Sequence, residues 1–148
     1  MPGAPSTSET GAVGDPITDL DDLLASLAPQ VREGEFVVAT VEPDGGNGVG
    51  GLTPLATVLE DEGLTVVLER AAADAAGVAY DFVAAWITLT VHSSLEAVGM
   101  TAAFAAALAA EGIPANVLAG HHHDHLLVPV DRRDDAVAAL RRLAAGAG

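Results

Sequence analysis

The sequence predicts an α+β fold made of two consecutive β-α-β-β-α-β units, each an antiparallel sheet with its helices on one face. Three observations lead there. Some segments repeat apolar residues at helical spacing, and others alternate them with polar residues. From Trp86 onward the predicted elements run strand, helix, strand, strand, helix, and from Phe36 to Trp86 they run strand, short link, strand, strand, helix, strand. The charge also divides near Trp86, since residues 1–84 carry 2 basic and 15 acidic side chains and residues 85–148 carry 4 and 6. The expected organisation is a disordered tail over 1–16, one unit over 17–84 and a second over 85–148.

"TDLDDLLASLAP" starts a helix at Thr18 or Asp19 and places Leu20, Leu23, Leu24 and Leu27 along one face, with Pro29 ending it. In "GEFVVATVE", Phe36, Val37, Val38 and Val41 form a strand that the turn-rich "PDGGNGVGG" stops. "ATVLEDEGLTVVLER" reads as a hairpin around Gly63, with the acidic "EDEG" as a solvated tip. "AAADAAG" reads as a short helix that Gly77 closes. In "WITLTVHSS", Ile87, Leu89 and Val91 alternate with Thr88 and Thr90, as in a strand with one buried face.

Ser93 and Glu96 form an S-x-x-E capping box, which predicts a helix from Ser94 to Glu111. Its predicted inner stripe is Leu95, Val98, Ala102, Ala105 and Ala109, with Phe104 and Leu108 beside it. Gly112 and Pro114 end that helix. "PANVLAG" and "HLLVPV" are then two strands, and Asp131 caps a last helix with Ala136, Val137, Leu140 and Leu143 inward. The second unit lacks a final strand, so one must come from the first unit or from another chain. Pro129 places its own strand at an edge or at its end.

The bulk composition excludes several functions. Six arginines, no lysine and 21 acidic residues give a net charge of −15, which repels phosphate backbones and anionic lipid. No nucleic acid or membrane partner is expected. The chain has no cysteine, which removes disulfides and thiolate chemistry and suits a reducing cytoplasm. The glycine-rich loop after Glu42 lacks the lysine and hydroxyl residue of a P-loop. No nucleophile elbow is present, so no catalytic residue and no cofactor is expected.

Four motifs, "EDEGLTVVL", "WITLTVHSSLEAVGMTAA", "IPANVLAG" and "HDHLLVPV", occur in an order that resembles the small bacterial ACT-domain proteins. That pattern is E-x-E-G-L-T, I-T-L-x-V-H-S-S-L-E-A-V-G-L-T-A-A, I-x-A-N-V-x-A-G and H-D-H-x-x-V-P, and the similarity spans about residues 18–143. The chain departs from it at Met100, where leucine is usual, and at His121 and His122, where aromatics are usual. The resemblance implies tandem ACT-like, ferredoxin-like units and a regulatory module that binds an amino acid or related metabolite. In that superfamily such ligands sit at interfaces between domains, and a homo-oligomer is expected here because an open apolar sheet edge invites pairing.

A strand that ends in two serines before a helix offers free N–H groups and a positive dipole end to a carboxylate. Gly99 would let a ligand approach closely, unless it serves only tight packing. Asn116 can hold an amino or carboxylate group, or bond a nearby turn. The expected ligand-binding set is His92, Ser93, Ser94, Glu96, Val98, Gly99, Met100, Asn116, Ala119, His123 and His125. Within "HHHDH", strand geometry would put His123 and His125 on one face, where a zinc or nickel ion is conceivable given further ligands. The preferred reading there is a polar turn in which Asp124 accepts backbone bonds, and a ligand-facing role for His123 or His125 is the second. A structural protein that dimerises through sheet edges is the alternative of another class.

Overall fold

The computed structural model describes residues 19–42, 50–91 and 98–146. The capping box at Ser93 and Glu96, with Leu95, lies outside the described residues. Helix α1 (Leu20–Ala25) is capped by Asp19, whose carboxylate accepts the Asp22 N–H at 3.2 Å. Strand β1 (Ala28–Val41) follows, then the β2 (Ala56–Glu60) and β3 (Gly63–Glu69) hairpin. Helix α2 (Arg70–Ala76), β4 (Val83–Thr90) and α3 (Met100–Ala110) lead to β5 (Asn116–Ala119) and β6 (Asp124–Pro129). A 3-10 turn (Val130–Arg132) runs directly into α4 (Arg133–Gly146).

All six strands join one antiparallel sheet in the order β2-β3-β1-β4-β6-β5. Strand β1 belongs to both halves. Its first part pairs Ala28–Arg32 with Thr90–Trp86, and after an irregularity between Arg32 and Phe36 its second part pairs Phe36–Val41 with Glu69–Leu64. The strand missing from the second unit is therefore the front of β1. Reciprocally, β4 closes the first unit through Phe36↔Ala84 and Val37↔Val83. The two units interlock, the first running β1-β2-β3-α2-β4 among the described residues, and neither has a complete sheet without a strand of the other.

The front of β1 was not expected as strand. Pro29 and the charges of Arg32, Glu33 and Glu35 argue against it in sequence. The segment tolerates them because β3 pairs only from Phe36 onward, so Ala28–Arg32 is locally an edge.

The helices lie on one face. Leu23, Leu24 and Leu27 of the α1 region, Met100, Phe104 and Leu108 of α3, and Ala136 and Leu140 of α4 are buried against Ala85, Ile87, Leu89, Leu126 and Val128 of the sheet. Ala73 of α2 packs on Val37, Ala39, Val66 and Leu68, which the register puts on that same face. The other face carries Phe36, Val67, Ala84, Trp86 and Leu127 and, among the described residues, no helix.

Two expectations about helices need correction. Helix α3 begins at Met100, not near Ser94, and the described residues Val98 and Gly99 precede it in non-helical conformation. Its inner stripe is Met100, Phe104 and Leu108, spaced i, i+4, i+8, whereas Ala102 and Ala109 are exposed and Val98 is 84% exposed. The bulkier side chains take the core because they remove more apolar surface from water than alanine does. Asp131 is no side-chain cap for α4; it sits inside the 3-10 turn. The predicted C-terminal closure of α3 is present: Gly112 N–H bonds Ala109 O, and Ile113 N–H bonds Leu108 O at 3.0 Å, with Ile113 buried.

Gly63 closes the β2–β3 turn at φ +144°, and a Cβ there would lie 2.8 Å from Thr40 Cγ2 and 3.3 Å from Val41 O. Gly63→Val is expected to lower unfolding free energy by about 1–3 kcal/mol in urea titration. Asp61→Ala in the same exposed turn should stay within about 0.5 kcal/mol. Equal effects would show that the turn backbone is not what constrains the hairpin.

Candidate functional site

The described members of the expected ligand-binding set fall at two places, on opposite faces of the sheet. The first is the start of α3. Gly99 precedes the helix at φ +94°, a left-handed conformation that has no side chain to cap the helix with. A Cβ at Gly99 would sit 3.1 Å from Leu20 Cδ2, so the glycine also serves the packing of α1 beside α3. Ala103 N–H bonds Gly99 O at 3.0 Å, which leaves the N–H groups of Met100, Thr101 and Ala102 before the first helical bond. Thr101 and Ala102 are exposed, whereas Met100 is a core residue at 4% exposure. His92, Ser93, Ser94 and Glu96 lie outside the described residues.

Ala119 lies at the same end of the sheet, paired with Asp124, which pairs in turn with Leu89. Residues 120–123 make the turn between β5 and β6, held by Gly120 N–H donating to His123 O at 2.9 Å. Gly120 has no room for a side chain. A Cβ there would stand 2.8 Å from His123 O and 3.1 Å from His125 Nε2. The rings of His121 and His122 are 4.7 Å apart, and all of His121, His122 and His123 are exposed.

The second place is the helix-free face. His125 and Asn116 lie there because they pair with Thr88 or Leu118 and with Leu127. His123 and His125 do not share one strand face as expected, since β6 begins only at Asp124. Instead the Trp86 indole N–H donates to His125 Nδ1 at 3.1 Å, and the Thr88 hydroxyl lies 3.0 Å from the same nitrogen. An indole is donor only, so Nδ1 accepts and the neutral ring carries its proton on Nε2. The two rings meet edge to face at 5.4 Å, Phe36 meets Trp86 at 5.6 Å, and the Arg32 guanidinium covers the indole at 4.8 Å. Among the described residues no group of three or more His, Cys, Asp or Glu side chains is placed to hold a metal ion.

Trp86, Thr88, Arg32 and Gly120 were not in the expected set. The alternation of "WITLT" does put Trp86 and Thr88 on the face opposite Ile87. That His125 lies against them depends on the β4–β6 register, which the sequence does not print. Elsewhere, Arg70 is committed to Glu35 at 2.8 Å and to the Tyr80 hydroxyl at 3.1 Å, and these partners hold its pKa above the ordinary arginine range. This cation ties α2 to the irregularity in β1.

Family models described as ACT domain match residues 15–85 and 81–142, and they overlap at the entry into the shared strand β4. A Vibrio cholerae protein of unknown function, described as a possible transport protein, is 46% identical with a TM-score of 0.77; the alignment covers 84% of this chain and 95% of that one. The chain belongs to the ACT-domain family. ACT domains are typically regulatory modules that bind small molecules and often oligomerise, and the matched families are not catalytic. Among more distant ACT-type folds, the ligand-free regulatory subunit of aspartate kinase from Thermus thermophilus gives a TM-score of 0.56 at 9% identity, over 78% of this chain and 95% of that one. An Agrobacterium tumefaciens protein gives 0.55 at 16%, over 80% and 89%. No curated protein matches the chain. No helix among the described residues of this ACT-domain protein is long and apolar enough to cross a membrane.

Burial holds the His125 imidazole below its ordinary pKa; His123 and Arg32 push the same way, and Asp124 opposes them. The unfolded chain therefore binds a proton that the folded chain resists. Stability is full above about pH 6.5 and falls as pH drops through the lower folded value. The thermal midpoint should decline between about pH 7 and 5, and His125→Gln, which keeps an acceptor for the indole, should decline less. A variant with the wild-type slope would remove His125 as the cause.

Proposed function

We propose that the chain is a regulatory module that binds a free amino acid or a closely related metabolite, with the ligand's carboxylate at the start of α3. The observation that carries this reading is the uncapped, solvent-facing first turn of that helix, next to a left-handed Gly99. Backbone N–H groups and the positive end of the helix dipole favour an anion there, and among the described residues no side chain caps the helix at Gly99. Val98 and Gly99 form the approach, and His92, Ser93, Ser94 and Glu96 are the proposed side-chain contributors. Ala119 and His123 complete the rim at this end of the sheet, and Met100 supports it from the core. Asn116 and His125, on the opposite face, belong to other features.

We assign the chain no catalysis of its own and place it in the cytoplasm. Its effect would be exerted through a partner whose affinity changes when ligand stiffens the seam between units. A second copy of the chain is the proposed oligomeric partner, because β2 and β5 are both open sheet edges. Edge-to-edge dimerisation without ligand is the reading to be tested against it.

Thermal-shift screening of the twenty amino acids should single out one or a few that raise the midpoint, and their methyl esters should not. Gly99→Asn, whose side chain can occupy the helix start and tolerates left-handed backbone, should weaken the response about tenfold while the fold survives. Esters that bind as well as free acids, or a panel with no response, would defeat the proposal.

A further inference from the structure

We propose that the helix-free face carries a second small-molecule site, separate from the start of α3, for an uncharged and mainly apolar molecule with one hydrogen-bonding group. The sheet is coiled enough that Thr57 and Val58 of β2 line the same hollow as Asn116 and Leu118 of β5, although these strands are the first and last in the sheet order. The cavity measures about 320 Å³. That lies within the range of small-molecule sites, roughly 300–1,000 Å³. Its floor is Val67 and Leu127, only 3% and 1% exposed. Val38 and Phe82 complete the apolar lining.

The floor decides between a cavity for a small molecule and a flat face for a second protein. A docking face would present its central residues to water, whereas here Val67 and Leu127 are buried at the bottom of a hollow lined from both edge strands of one chain. The chemistry of the lining then sets the ligand class. No charged side chain is among the described lining residues, so a charged group that entered would lose its water without gaining a partner among them. A zwitterionic amino acid is therefore a poor fit here, unlike at the start of α3. Three lining residues have polar side chains; Thr57 pairs with Val66 and so lies on the other strand face, which leaves two. The Thr65 hydroxyl is already donated to the Glu60 carboxylate. The Asn116 side chain has no hydrogen bond to any described residue, and its amide can donate to a carbonyl or ether oxygen and accept from a hydroxyl. A molecule held between β2 and β5 would also bridge the two interlocked units.

Acetophenone, neutral and with one carbonyl, is a suitable probe, and ethylbenzene is its counterpart without the oxygen. Titrated into the isotope-labelled full chain, acetophenone should give saturable methyl shifts confined to Val38, Val58, Val67, Leu118 and Leu127. Ethylbenzene should bind about fivefold more weakly, the worth of one hydrogen bond. Asn116→Ala, at an exposed position, should make the two probes equal. Val58→Trp, from a half-exposed residue on an edge strand, should fill the hollow and weaken acetophenone about tenfold or more with the melting midpoint little changed. Scattered or unsaturable shifts, probes of equal affinity in the wild type, or undiminished binding to a folded Val58→Trp chain would overturn the proposal. So would a concentration-dependent dimer that expels the probe and that Val58→Trp dissolves.

Discussion

The backbone ladder between β1 and β4 is the interaction on which the rest of the molecule depends. Through Ala28–Arg32 it completes the C-terminal unit, and through Phe36 and Val37 it completes the N-terminal one. Each buried strand must satisfy its N–H and C=O groups, and an unpaired one costs about as much as a lost hydrogen bond. Removing either strand from the middle of the order β2-β3-β1-β4-β6-β5 would therefore open both units at once. The same pairing aligns Val37 with Val83 and Phe36 with Ala84, and so decides which side chains meet the helices and which meet the open face.

That division between faces shapes the function. The helical face encloses the larger apolar core and ends, at Gly99, in a helix start that no described side chain caps. The open face is apolar too, yet it is covered by Arg32 over Trp86 and carries the polar contacts of Trp86 and Thr88 with His125. An ACT-domain chain with these features presents two chemically different places. As proposed, one takes a negative charge and the other none, and backbone N–H groups are what would let an acidic protein with a net charge of −15 hold an anion.

Much of this was legible in the sequence, where local chemistry coincided with the fold. Gly63 between two alternating runs marked the hairpin, and Asp19 before the leucine face of α1 marked a helix start. The need for a borrowed strand followed from counting elements. The front of β1 was hidden because Pro29 and three charged residues are acceptable only on a local edge, and the edge is made by where β3 stops pairing. The beginning of α3 was misplaced because a capping-box pattern precedes it, whereas the observed start, Gly99, gives no side-chain signal. Alanine-rich composition concealed the inner stripe until Met100, Phe104 and Leu108 were weighed above their neighbours. Histidines read as a cluster parted because strand register turned His125 toward Trp86 and the turn left the other three in solvent.

Native-state hydrogen exchange over increasing urea tests the interlocked sheet most directly. Amides of Val37–Val41, Ala85–Leu89 and Leu126–Val128 should merge into one isotherm at the free energy of global unfolding, with no earlier shared opening of either half. Two separate isotherms, with residues 100–146 opening while residues 56–76 remain protected, would show that the units fold independently and that β1 and β4 do not bind them into one cooperative body.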